Sequence, residues 1–356
     1  MLFLMRFLAA AVGLAFVYLL LWPVPLEPAA WEAPEDAGYN GAFEPNERMS
    51  KLTLIDLGGR AGPEDVDIGP DGLIYCATHS GEIIRMGVDG KPTVFADTEG
   101  RPLGIEFAPD GTLYVADAYR GLLAVDRGGV VTLLADTAED GTPILYADDV
   151  DIAPNGIVYF SDASTRFSPV EHGGTLAASI LDLVEHSNNG RVLAYDPNSR
   201  QATLFADNMT FPNGIAVSRS GDAVYVVETG SYRIWRYPTD GSEGSVVLDN
   251  LPGFPDNINN SDGDTFWVGL ASPRNRLMDA LSGQPFLRKA IMRLPDALKP
   301  APTRYGFVLR MGPAGEVIET LQDPSGAYAL TTGAASLPDG RTAITSLTEK
   351  RLGILP

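Results

Sequence analysis

An all-β fold, a six-bladed β-propeller with an N-terminal transmembrane helix and two helical inserts over one face, is what the sequence predicts, and three observations predict it. One phrase recurs six times: an oxygen-bearing or small residue, a short apolar-alternating run, a turn of the Pro-Asp-Gly kind, then a strand with Tyr or another apolar residue. Each copy alternates with period two and turns through Asp-Gly, Asn-Gly or Ser-Gly, the short-range signal of a β-hairpin. The first 22 residues are apolar apart from Arg6.

Composition narrows the classes of function. The chain has 356 residues, 26 Lys and Arg against 46 Asp and Glu for a net charge of −20, 45% hydrophobic residues and one Cys. This balance excludes a collagen, a coiled coil and a disordered tail, and the length holds two or three ordinary domains or one large all-β or α/β unit. A surface this acidic, with no run of Lys or Arg, repels a phosphate backbone, so no nucleic-acid partner is expected; cations suit it better. The lone Cys76 can form no intrachain disulfide, so stability rests on the core.

Residues 1–22 would extend about 33 Å as a helix, matching a bilayer core of about 30 Å. The rival reading is a cleaved signal peptide, whose apolar stretch usually runs about 7–15 residues to a small-x-small site. Here Trp22-Pro23-Val24-Pro25 follows, which favours an uncleaved anchor. Positive flanks stay inside, so Arg6 remains cytoplasmic and the acidic body crosses, giving a single-pass membrane protein with its propeller on the periplasmic, extracellular or lumenal side. Residues 23–49, rich in Pro, Ala, Glu and Gly without apolar period, read as a linker. The propeller then occupies 50–356.

The six copies start at Glu64 (EDVDIGPDGLIYCAT), Leu103 (LGIEFAPDGTLYVAD), Asp148 (DDVDIAPNGIVYFSD), Asn213 (NGIAVSRSGDAVYVVE), Asp256 (DNINNSDGDTFWVG) and, more faintly, Thr332 (TGAASLPDGRTAITS). Strand-like stretches such as EIIRMG and YRIWRYP follow, then often a fourth such as PTVFAD or ATLFAD. A four-stranded meander of about 40 residues is a propeller blade. Two inserts break the rhythm, one after Asp162 and one after Ala271. Leu176, Ile180, Leu183 and Val184 in the first, and Leu277, Met278 and Leu281 in the second, stand at helical spacing. They either pack on the propeller as filler or cover one mouth of the channel as lids.

The innermost strand of each blade lines the central channel, so one position per repeat falls on one ring. Counting back eight residues from the hairpin glycine gives Glu64, Leu103, Asp148, Asn213 and Thr332; in the fifth copy a one-residue slip from Pro255 gives Asp256. Glu64, Asp148, Asn213 and Asp256 are thus candidate metal ligands, with Asp65, Asp149 and Asn257 directly behind. Converging carboxylates without a counter-ion repel one another, so either some are protonated or a cation sits among them. Hard oxygen donors of this kind suit Ca²⁺. Zinc is disfavoured, since His79, His172 and His186 lie outside the ring positions and Cys76 stands alone. One such acid would be read as a turn cap or an acceptor for backbone amides; four in register argue for a site.

At these residues the chain resembles the calcium-dependent six-bladed propellers of the senescence marker protein, gluconolactonase and paraoxonase superfamily. The likeness is strongest to strictosidine synthase-like proteins of the adipocyte plasma membrane-associated type. It is carried by GRPLGI, LYVADAYRGL, NNGRVLAYD, FPNGIAVS, VVET and LPGFPDNI together with the apolar amino terminus, over about residues 50–350. The resemblance makes Glu64, Asp148, Asn213 and Asp256 the ligands of a catalytic calcium, with Asp148 standing where the family usually has Asn. It implies metal-assisted hydrolysis of an ester or lactone, with Asp256 as the leading general base and Asp149 second. The paraoxonase histidine pair has no counterpart, Leu103 and Ala118 standing in those phrases. LTTGAASLPDG offers no acid before Asp339 for a strictosidine synthase-type condensation. The expected function is therefore a membrane-anchored, calcium-dependent lactonase or arylesterase acting on a small-molecule ester or lactone. The alternatives are a non-catalytic calcium-stabilised binding propeller and a condensing enzyme. Asp117 and Glu228, at the ends of second strands, read as structural acceptors.

Overall fold

The computed structural model describes every residue except Met1 and Asp89, and leaves out the side chains of Leu2, Ala9, Ala11, Val12 and Ala15. Six four-stranded antiparallel sheets stand around one axis. Five are continuous meanders, blades 1 to 5 at 66–97, 102–135, 147–209, 212–248 and 253–323. Blade 6 is assembled from both ends of the chain: three strands between 334 and 355 are completed by Thr53–Asp56, which pairs with Arg351–Leu355. The sixth copy therefore has no fourth strand after it, since that strand comes from the start of the body. Antiparallel ladders between the two ends leave no open seam in the ring.

Each inner hairpin turns through a glycine with φ between +73° and +87°, at Gly72, Gly111, Gly156, Gly221, Gly263 and Gly340, a conformation that L side chains resist. In the turn of blade 5 the glycine sits one place earlier, between Asn260 and its partner Phe266, which accounts for the one-residue slip in the sequence register. Four inner strands carry a β-bulge at the ring position itself. Pairing shifts between Pro102 and Ile105, Ala147 and Val150, Pro212 and Ile215, and Pro255 and Ile258. An extra residue re-aims the side chains beside it, and here the re-aimed residues are Leu103, Asp148, Asn213 and Asp256.

Apolar side chains between adjacent sheets form the core. Blades 2 and 3 share Leu122, Val150, Phe160 and Leu193, and blades 4 and 5 share Tyr225, Val227, Ile258 and Phe266. The inserts are helical as expected: α2 (Thr175–Glu185) in blade 3, and α3 (Arg276–Ala280) and α4 (Pro285–Ile291) in blade 5. The N-terminal stretch forms the first helix, α1 (Leu2–Leu21). Among the described residues no helix is long and apolar enough to cross a membrane. Residues 23–49 differ from the expected loose spacer. Leu26 and Met49 are buried, Trp31 stacks on His186 with centroids 3.8 Å apart, and Ala29 N donates to Glu185 O at 2.8 Å. The segment is a strap along the insert-bearing face, held by aromatic residues that its Pro- and Ala-rich composition obscures.

Candidate functional site

The bulged inner strands open onto a cavity of about 460 Å³. Its wall includes Glu64, Asp148, Asn213 and Asp256, so the four predicted ligands from four different blades share one site. Leu103, the apolar ring residue of blade 2, lines it too. Leu176, Ile180, Leu183 and Val184 of α2 and Met278 of α3 face the same space, and Arg288 and Met292 come from the second insert. The inserts therefore roof one mouth of the channel, and the helical spacing in the sequence marks their inward face. The cavity is mainly apolar with a few polar groups, the usual form of a small-molecule site.

Two inner-strand glycines let neighbouring blades come this close. A Cβ on Gly104 would stand 2.2 Å from Asp149 Oδ1, and one on Gly214 would stand 2.4 Å from Ile258 N.

The ring acids are buried and under-solvated. Glu64 is pushed up to about 6 by burial, with Asp65 adding to the rise and Arg101 opposing it. Burial, then the charge of Glu64, holds Asp148 well above the usual carboxylate range; Asp256 is raised by burial, Glu64 and Asp148. Asn213 Nδ2 donates to Asp256 Oδ1 at 2.5 Å, while Asn213 Oδ1 is buried with no hydrogen-bond partner. Arg101 Nη2 lies 3.2 Å from Glu64 Oε2.

Asp149 is placed differently. Its Oδ1 accepts from Val150 N at 2.9 Å and its Oδ2 from Ile215 N at 2.8 Å, and it is not part of the cavity wall. Asp65, behind Glu64, accepts from Ile105 N and Asn259 Nδ2, and Asn257 Nδ2 donates to Glu64 O at 3.1 Å. Thr332 holds the sixth ring position and donates to Glu64 O at 2.6 Å. Asp117 and Glu228 are buried acceptors. Asp117 takes Arg101 N and Tyr119 N; Glu228 takes Thr210 N, Ser231 Oγ, Arg233 Nε and Trp235 Nε1.

The donor set suits a hard cation. Every ring group but Leu103 offers oxygen, the three histidines lie outside the cavity wall, and an orphaned buried amide oxygen is a group that lacks its partner. Among the described residues, no three His, Cys, Asp or Glu side chains are gathered tightly enough to hold a metal ion. The group that sequence reasoning missed is Arg101. It stands two positions ahead of Leu103, the one aliphatic ring residue, but nothing local in the sequence ties it to Glu64 in another blade.

Fold and site together define a six-bladed propeller whose channel mouth is an acid-bearing apolar cavity under a helical roof. Residues 148–242 match the strictosidine synthase family and residues 41–86 the strictosidine synthase-like N-terminal family. An adipocyte plasma membrane-associated protein from Bos taurus is 31% identical over 86% of this chain and 79% of its own length. The chain belongs to the strictosidine synthase-like family that includes these proteins. A gluconolactonase from Xanthomonas campestris shares the fold with TM-score 0.61 at 17% identity, covering 94% of this chain and 98% of its own. The calcium-binding protein regucalcin from Agrobacterium tumefaciens does so with TM-score 0.59 at 18% identity, covering 85% and 93%.

Proposed function

We propose that this protein is a membrane-anchored, calcium-dependent hydrolase of apolar esters or lactones, acting in the roofed cavity. The observation that carries the reading is the convergence of Glu64, Asp148, Asn213 and Asp256 on one apolar cavity, with the Asn213 amide oxygen buried and unpartnered. These four residues would hold the ion. Bound there, calcium supplies Lewis-acid polarisation of a carbonyl oxygen.

The chain's own groups supply the rest. Asp256, anchored at Oδ1 by Asn213, keeps an Oδ2 that takes no hydrogen bond from the described residues and is the proton acceptor for an attacking water. Leu103, Phe211, Ile180 and Leu183 bind the apolar part of the substrate and exclude bulk water. The gluconolactonase and the calcium-binding regucalcin that share the fold support the lactone and calcium halves of this reading.

The anchor is supported by exposed apolar residues along α1, including Phe3, Leu4, Phe7, Leu14 and Phe16, which a bilayer would cover. The test is full-length protein in detergent, assayed on aryl esters and lactones with calcium and with chelator. Turnover lost on chelation and restored by calcium supports the reading. Absence of turnover, with an apolar ligand still bound, leaves a binding propeller.

A further inference from the structure

The ring is not purely acidic. Arg101 is 3% exposed and lies behind Glu64, outside the cavity wall, so it does not meet substrate. Its guanidinium reaches Glu64 Oε2 at 3.2 Å, and Nη1 donates to Pro102 O at 2.9 Å. Its backbone is fixed as well: Arg101 N donates to Asp117 Oδ1 at 2.9 Å, and Ala118 N donates to Arg101 O at 2.9 Å. Gly100 permits this, since a Cβ there would stand 2.4 Å from Asp117 Oδ1. Blade 2, which offers no oxygen at its ring position, thus delivers a fixed positive charge to the ring from one strand-end away.

The charge balance gives this placement a purpose. Glu64, Asp148 and Asp256 carry three formal negative charges into a buried site, and Arg101 is the basic side chain paired to one of them, Glu64. Three carboxylates and one guanidinium leave two net negative charges, equal and opposite to a divalent cation. Asp148 has no hydrogen-bond donor of its own among the described residues, so its burial depends on nearby charge.

We infer that Arg101 is a positioning residue of the ring, holding Glu64 in place and offsetting the third carboxylate, Asp148, so that the site is matched to a divalent cation. The offsetting of Asp148 rests on its sharing one cavity wall with Glu64, the carboxylate that Arg101 holds, whereas the match to a cation rests on the calcium reading above. A purely structural ion pair would involve Glu64 and leave Asp148 indifferent. Charge compensation of the ring couples Arg101 to both.

The test is a set of full-length variants in detergent, melted in chelator at pH 8 and again in calcium, with calcium binding followed by calorimetry. Arg101→Met should lower the apo Tm on the order of 5–10 °C, the scale for a broken buried ion pair. Adding Asp148→Asn to Arg101→Met should recover at least half of that loss, and Arg101→Lys should retain most of the wild-type Tm. Calcium should raise the Tm of Arg101→Met more than that of the wild type. Recovery by Glu64→Gln but not by Asp148→Asn would overturn the inference, reducing Arg101 to a structural partner of Glu64. If Arg101→Met does not fold, folding of the double variant supports the inference. If neither folds, an unchanged apo Tm in Asp148→Asn alone overturns it and a raised one supports it. No calcium binding to the wild type, with Arg101–Asp148 coupling intact in chelator, would sink the calcium reading and the cation match while the compensation stands.

Discussion

The inner strands carry two tiers of acids that differ in their partners rather than in their chemistry. In the deeper tier, Asp65, Asp67, Asp149 and Asp151 each accept a backbone N–H from the next blade, from Ile105, Phe107, Ile215 and Val217 at 2.6–3.0 Å. In the upper tier, Glu64 is met by Arg101, Asp256 by Asn213, and Asp148 by no donor among the described residues. The deeper acids lock neighbouring blades together, while the upper ones are left open toward an apolar cavity. Hydrogen-bond satisfaction therefore separates acids committed to the fold from acids available to a ligand, even where, as at Asp148 and Asp149, the sequence shows the same residue twice in a row.

The largest test of that separation is Asp256→Asn. Aryl-ester or lactone turnover should fall by roughly 10²–10³-fold, in line with loss of a general base, while the Tm stays within a few degrees of wild type. Equal loss of stability would erase the distinction between the tiers. Asp149→Asn should behave in the opposite sense. Its amide presents a donor to Ile215 N or Val150 N, so denaturant unfolding should show a loss of about 2–3 kcal/mol, with turnover per folded molecule largely kept.

The deeper tier also predicts a pH dependence. Burial raises Asp67 and Asp151 to about 7 in the folded chain from an ordinary value of 3.8. The folded state therefore binds more protons than the unfolded state between these values. Their contribution is fully present below about pH 4 and is lost as pH rises through about 7. Melting curves in chelator should show Tm declining from pH 5 to pH 8, and a flat or rising profile would contradict the burial of these groups. The smallest expected effect lies in the roof. Ile180→Ser should raise KM for an apolar ester by about tenfold, the scale of one lost apolar contact, and leave kcat nearly unchanged.

Much of this was legible because repetition converts sequence position into spatial position. The hairpin glycines and the period-two alternation give the blade count, and register from those glycines reaches Glu64, Asp148 and Asn213 directly. Asp256 needed a slip because the glycine of its turn moved one place, a detail of loop geometry. The roof was legible as helices at Leu176, Ile180 and Leu183, whose common face is the one that meets the cavity. Arg101 was not, because its partner lies 37 residues earlier in another blade. The strap was not either, since Trp31 stacks on His186 and Leu26 packs with Leu103, Tyr146 and Phe211, all in distant elements.

By itself the sequence determined the architecture: local alternation and turn chemistry dictate the hairpins, and six similar units can bury their faces only by closing on one another. The tertiary structure decided which acids are bonded to a neighbouring blade and which are left open, that the first strand completes the last blade, and that a guanidinium joins the ring. Those outcomes depend on distances between blades, and no local pattern of residues encodes a distance across the axis.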